Sequence, residues 1–272
     1  MPRHPRNSLL QFGVAFTAAV LALPVLCAQT VRQNSNSGNP LVDRVTQVVT
    51  TFFAKLSDVE CTELVSQTKF RKNGKVEYIG NSSFDYVVVA EPSGGELTLA
   101  ESRLAKLERR EARRLPLMVT NGFSTLLLIF HPEYRAGFEF NPLEDEVADG
   151  KTYARLEFHH IRGTRSTAAL LVQGQEYPLD FQGVAWIDRE TGEVWKIEAG
   201  LESPMDDIGL RSMRTEVIYG PVKFQGTSDT YWLPQMATID VESLRERWRN
   251  VHRFTAYRQF ATSVKETGSK TR

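Results

Sequence analysis

Few residues in this chain have the types and spacing that chemistry needs. In the segment LEFHHIRG, Glu157, His159 and His160 could ligate a metal or carry protons. A regular strand points successive side chains to opposite faces, so His159 and His160 cannot share one ion. Glu157 and His159 make half a ligand set, and no second half occurs at matching spacing, because His131 and His252 stand alone. NPLEDEVADGK gathers Glu144, Asp145, Glu146 and Asp149 without the alternating register of a calcium loop, and reads as an acidic solvated turn. Asp206 and Asp207 are adjacent in a loop, where neighbouring carboxylates diverge. Cys61, the one cysteine outside the leader, reads as a small half-buried strand residue rather than a nucleophile. There is no P-loop, HExxH, nucleophile elbow or dinucleotide fingerprint. The pattern predicts no catalytic residue, metal or cofactor. An enzyme would have to assemble Glu157, His159, Asp206 and Asp207 in one cleft.

The elements that must carry any site are clearer. The chain has 272 residues, 33 basic and 33 acidic, with 41% hydrophobic residues, which suits a globular core and gives no nucleic-acid footprint. Arg3, His4 and Arg6, the apolar run Leu9–Leu26 and the small residues that follow have the plan of a secretory signal peptide over residues 1–28. Leu26 before Cys27 disfavours a lipoprotein box. Loss of Arg3 and Arg6 leaves two more acidic than basic residues, and one cysteine, so the exported domain is held by its core rather than by a disulfide. Residues 29–40 read as a flexible leader, 41–266 as one domain and 267–272 as a disordered tail.

Leu41, Val45, Val48, Val49, Phe52, Phe53 and Leu56 fall on one face of a 3.6-residue period and predict an amphipathic helix. CTELVSQTKF and KVEYIGNSSFDYVVVAE flank a hairpin turn at Asn73–Gly74, and GELTLAE reads as a third strand. Ser102–Leu115 has helix-forming residues with six Lys/Arg against two Glu. Arg103, Lys106, Arg110 and Arg114 on this segment are candidates for a partner or anionic-membrane surface, although a solvated helix face explains them too. LMVTNGFSTLLLIF reads as a second helix or a buried segment. From Tyr134 onward, strands are separated by Gly, Pro and Asp turns with no helices between them, which predicts antiparallel neighbours. About ten or eleven strands in one sheet must curl, and the helices must cover the hollow.

In GVAWIDRETGEVWKIEAG an even loop sets Trp186 opposite Trp195 and Val184 opposite Ile197, giving one apolar, aromatic face. That face can be core wall or ligand wall. The candidates for lining a cavity are Phe84, Tyr86, Val88, Val184, Trp186, Trp195, Ile197 and Phe52.

The order of elements, with the phrases GVAWIDRETGEVWKIEA, VIYGPVKF, YWLP and HRFTAYRQF, resembles the LolA-like family of periplasmic lipoprotein carriers over roughly residues 42–265. The resemblance implies an α+β half-open barrel: a large curved antiparallel sheet whose concave face is plugged by helices. In that family the cavity accepts acyl chains of lipoproteins, and some relatives sense envelope lipoproteins. No family residue carries over securely, and Arg71 is only a positional match for a lipid-contacting arginine. The expectation is an exported, periplasmic or extracellular, monomeric and non-catalytic domain that binds an acyl chain or lipoprotein. The alternative is an envelope-protein interaction or sensor module without bound lipid.

Overall fold

The computed structural model describes residues 39–56, 59–93, 96–105, 125–172, 175–224 and 230–259. The leader, the C-terminal tail, Lys106, Arg110 and Arg114 lie outside the described residues.

Helix α1 spans Pro40–Leu56. Asn39 starts it: its side-chain Oδ1 accepts from the main-chain N–H of Leu41 at 3.1 Å and of Val42 at 3.4 Å. Two of the orphan donors of the first turn are thereby satisfied, and Pro40 follows where a missing N–H costs nothing. The buried stripe is Val42, Val45, Val49 and Phe53, with Leu41 and Phe52 partly buried beside it. The buried face is thus centred on Val42, one residue from the expected start at Leu41.

The strands are β1 (Val59–Phe70), β2 (Val76–Ser93), β3 (Glu96–Ala105), β4 (Phe138–Ala148), β5 (Lys151–His160), β6 (Ala169–Val172), β7 (Gln175–Pro178), β8 (Phe181–Ile187), β9 (Val194–Leu201), β10 (Leu210–Lys223), β11 (Thr230–Ser243) and β12 (Arg247–Gln259). Ten of them form one antiparallel sheet in the order β3-β2-β1-β12-β11-β10-β9-β8-β5-β4, and β6 and β7 make a separate ribbon. The sheet does not close, because β3 and β4 are its two edges. Just before β4, Glu133 accepts from the Leu97 N–H at 2.7 Å and the Tyr134 hydroxyl donates to the Leu97 carbonyl at 3.2 Å. The gap is therefore touched at β3 but not laddered, which is a half-open barrel with α1 against its concave face.

Two segments differ from the sequence expectation. Residues 102–105, expected to begin a basic helix, continue β3 and pair with Phe84–Val87. Residues 141–148, expected as an acidic turn, belong to β4, and the turn itself is Asp149–Gly150, both at positive φ (51° and 76°) as a two-residue hairpin turn of the primed type requires.

The concave face beneath α1 is a packed core. Leu126–Phe130, in a 3-10 turn spanning Thr125–Phe130, is buried with Phe138, Phe140, Leu156, Phe158, Ile187, Ile197 and Val217. Gly183 allows this closeness: a Cβ there would stand 2.0 Å from the Glu198 carbonyl oxygen and 2.8 Å from the Phe158 ring. The β8–β9 turn docks the helix from outside. Arg44 donates to the carbonyls of Arg189 and Glu190, and Gly192 (φ 77°) leaves room for the Arg44 and Val48 side chains.

Candidate functional site

The concave face divides into two regions. Under α1 it is filled. On β3, β2, β1 and β12 it carries an ionic and amide cluster set among apolar side chains. Alternation along β1 turns Cys61, Glu63, Val65 and Gln67 inward, and along β12 it turns Asn250, His252 and Phe254 inward. Antiparallel pairing of the two strands sets Gln67 opposite Asn250 and brings Glu63 diagonally onto His252. On β2, the partner positions add Phe84, Tyr86 and Val88, and β3 adds Arg103.

Glu63 is wholly buried. Its Oε1 lies 2.8 Å from His252 Nδ1, and Arg103 donates from Nε to Oε2 at 2.6 Å and from Nη2 to Oε1 at 3.3 Å. The Arg103 guanidinium also covers the Tyr86 ring at 4.7 Å. Burial pushes the Glu63 carboxyl up, but the hydrogen bonds from His252 and Arg103 outweigh it and hold the group below the ordinary glutamate range. Burial, then the nearby Glu63 charge, push the Cys61 thiol up to about 12. Cys61 is thus a neutral core residue and not a nucleophile. Beside the ionic group, the Gln67 amide and the Asn250 Oδ1 are buried and make no hydrogen bond to described residues.

A second feature borders the packed region. A cleft of about 280 Å³ runs between α1 and the start of β11, with Val48, Phe52, Tyr231, Trp232 and Leu233 as apolar walls and Lys55 and Glu193 among the polar groups. Burial raises the Glu193 carboxyl above its ordinary value.

The structure distributes the expected cavity residues between these regions and the outer surface. Phe84, Tyr86 and Val88 are on the concave face, and Phe52 lines the cleft. Ile197 is packed beneath α1. Val184, Trp186 and Trp195 lie on the outside of the sheet. A bulge at the β8–β9 turn sets Trp186 opposite Lys196, not Trp195. Trp186 is then covered by Lys196 (Nζ 3.7 Å from the ring centre) and Arg155, with Nε1 donating to Glu146 at 3.0 Å, while Trp195 stacks on Tyr153. Arg103, expected on an exposed helix face, is instead on a strand and engaged by Glu63.

The candidate chemistry does not gather. Glu157 and His159 sit on the outer face of β5, 3.3 Å apart, and Asp206 and Asp207 lie in the 3-10 turn before β10. Among the described residues no group of three or more His, Cys, Asp or Glu could hold a metal. One arrangement that the sequence reading missed resembles a nucleophile triad: His160 Nδ1 is 2.8 Å from Asp180 Oδ1, and Nε2 is 3.1 Å from Thr164 Oγ1. Here the hydroxyl is turned onto main chain. It donates to the Ile161 carbonyl at 2.7 Å and occupies the space that a Cβ on Gly137 would need. The trio therefore holds the turn after β5 and does not present a nucleophile.

The sequence missed Glu63, Gln67, Asn250 and His252. Period-two alternation in CTELVSQ and RNVHRF carried the signal that they share a face with Cys61 and Phe254. The pairing of β1 with β12 had no signal.

No protein-family model matches the chain, and no curated protein matches it in sequence. Solved structures with a similar arrangement include a DUF1329 family protein from Desulfovibrio piger (15% identity, TM-score 0.41, 80% of this chain and 90% of that one). A putative outer membrane lipoprotein-sorting protein domain from Vibrio parahaemolyticus is 11% identical, with TM-score 0.39 over 83% of this chain and 95% of that one. A LolA superfamily protein from Nitrosomonas europaea is 12% identical, with TM-score 0.38 over 81% and 93%. The half-open sheet with a covering helix is the architecture that the sequence resemblance implied. Likeness of this degree says nothing of a ligand, so the functional reading rests on the site.

Proposed function

We propose that the chain is a non-catalytic domain that binds a lipid or lipoprotein by taking an acyl chain between α1 and the sheet. The observation that supports this reading is the apolar cleft beside Phe52. Val48, Phe52, Tyr231, Trp232 and Leu233 give it aromatic and aliphatic walls beside the polar Gln47, Thr51, Lys55, Glu193 and Thr230, and its volume is close to the lower end of small-ligand sites, roughly 300 Å³. The buried polar face around Glu63 lies farther along the concave side and would limit how deeply an apolar chain extends. The domain is proposed to be residues 41–266, exported to the periplasm or cell exterior after removal of residues 1–28, and to act as a monomer. No helix among the described residues is long and apolar enough to cross a membrane.

The reading is tested by titrating a fluorescent fatty acid into the purified protein. Saturable binding is expected, with Phe52→Asp weakening it at least tenfold while Val147→Asp, on an exposed position of edge strand β4, leaves it unchanged. Equal binding by both variants would place the probe elsewhere and contradict the proposal.

A further inference from the structure

Far along the β1–β2 and β11–β12 strand pairs, at their turn ends, a second cleft of about 340 Å³ opens between the turns. Arg71 and Lys72 enter it from the β1–β2 turn, Arg245 and Arg247 from the β11–β12 turn, and Arg211 from the start of β10. Two carboxylates, Glu242 and Glu246, also line it. Glu246 is already taken by Lys69 at 2.7 Å and by the Trp248 Nε1–H at 3.1 Å. Arg245 acts on Glu246 from a distance and Arg247 covers the Phe70 ring at 5.3 Å, but none of the five cations is in a direct ion pair with a described residue, whereas Arg135, Arg189 and Arg249 each have a carboxylate partner. Five converging cations with little compensation raise the local positive potential in a chain whose formal net charge is zero.

Apolar side chains share this end. Leu244, which lines the cleft, is 54% exposed, and Val76, paired with Phe70 of the lining, is 50% exposed. Large aliphatics in water beside a surplus of cations are the two halves of an interfacial surface: the cations meet phosphate and the aliphatics enter the acyl boundary. A nucleic-acid groove, whose affinity comes from phosphate contacts, would have no use for the exposed leucine at its rim.

We infer that this turn end docks on an anionic phospholipid surface, with lipid phosphates in the cleft of Arg71, Lys72, Arg211, Arg245 and Arg247, and with Leu244 and Val76 inserted at the interface. The inference stands apart from the acyl cleft beside Phe52.

Co-sedimentation with vesicles tests it. The protein should bind vesicles of phosphatidylcholine mixed with phosphatidylglycerol, not phosphatidylcholine alone, and added salt should release it. Arg71→Ala and Lys72→Ala should each weaken binding by about fivefold. Leu244→Ser, which removes the apolar side chain without adding charge, should weaken it at unchanged salt dependence, and Arg162→Ala, which removes an exposed cation elsewhere, should not. Thermal unfolding checks that each variant keeps its fold. The proposal is overturned if the protein ignores anionic vesicles, if Arg162→Ala matters as much as Arg71→Ala, or if soluble glycerol phosphate alone displaces it, which would make the cleft a small-anion site.

Discussion

Glu63 is a carboxylate with no contact to solvent, and its presence must be explained by its partners. Arg103 and His252 supply them, and removing one partner leaves a buried charge uncompensated. Arg103→Ala is expected to destabilise the fold by roughly 3–5 kcal/mol, read from urea unfolding. The carboxyl is held below its unfolded value, so its contribution is complete above about pH 4.3, the ordinary glutamate value, and is lost as pH falls through the folded value. The stability difference between the wild type and Glu63→Gln should therefore be constant at neutral pH and shrink below about pH 4. A difference independent of pH would mean that the carboxyl is not ionised in the fold. At this scale the sequence was partly legible. Cys61 and Val65 advertise an inward face, and Glu63 and Gln67 follow by alternation. His252 stood alone because its partner is 189 residues away in the chain.

The first helix was the most readable element, because Val45, Val49 and Phe53 repeat at the helical period, but its start was not read: Asn39 and Pro40, which cap and open it, fell in the expected leader. Asn39→Ala should lower stability by about 1 kcal/mol, seen as a fall in the thermal midpoint, since it orphans the N–H groups of Leu41 and Val42. Phe53→Ala should cost more, about 3–5 kcal/mol, through a cavity in the packed region. The strands were readable as strands, but not their ends. Residues 102–105 have helix-forming composition and yet extend β3, because β2 is 18 residues long and its Phe84–Val87 stretch offers a ladder that overrides local preference. Residues 141–148 look like a solvated turn because β4 is an edge strand, and charges such as Glu144, Asp145 and Glu146 are how an edge avoids pairing with other chains. The tryptophan hairpin failed at one residue: the bulge at Trp195 changes the register, and Trp186 meets Lys196 on the outside.

For the whole molecule, short connections and repeated strands predicted an antiparallel curved sheet, and the strand order bears this out. What no local pattern contains is the union of the first and last strands, β1 and β12, in the middle of the sheet. That union creates the polar face on one side of the hollow, while α1 and Leu126–Phe130 fill the other, leaving the cleft at Phe52 as the apolar opening. If the cleft at Phe52 is a lipid site, the protein purified without detergent should carry its cargo. Organic-solvent extraction followed by mass spectrometry is the most direct measurement. The account predicts acyl-bearing species in near-stoichiometric amount, or, from delipidated protein, saturable uptake of a fatty acid. An extract without acyl species, together with no saturable uptake, would contradict it.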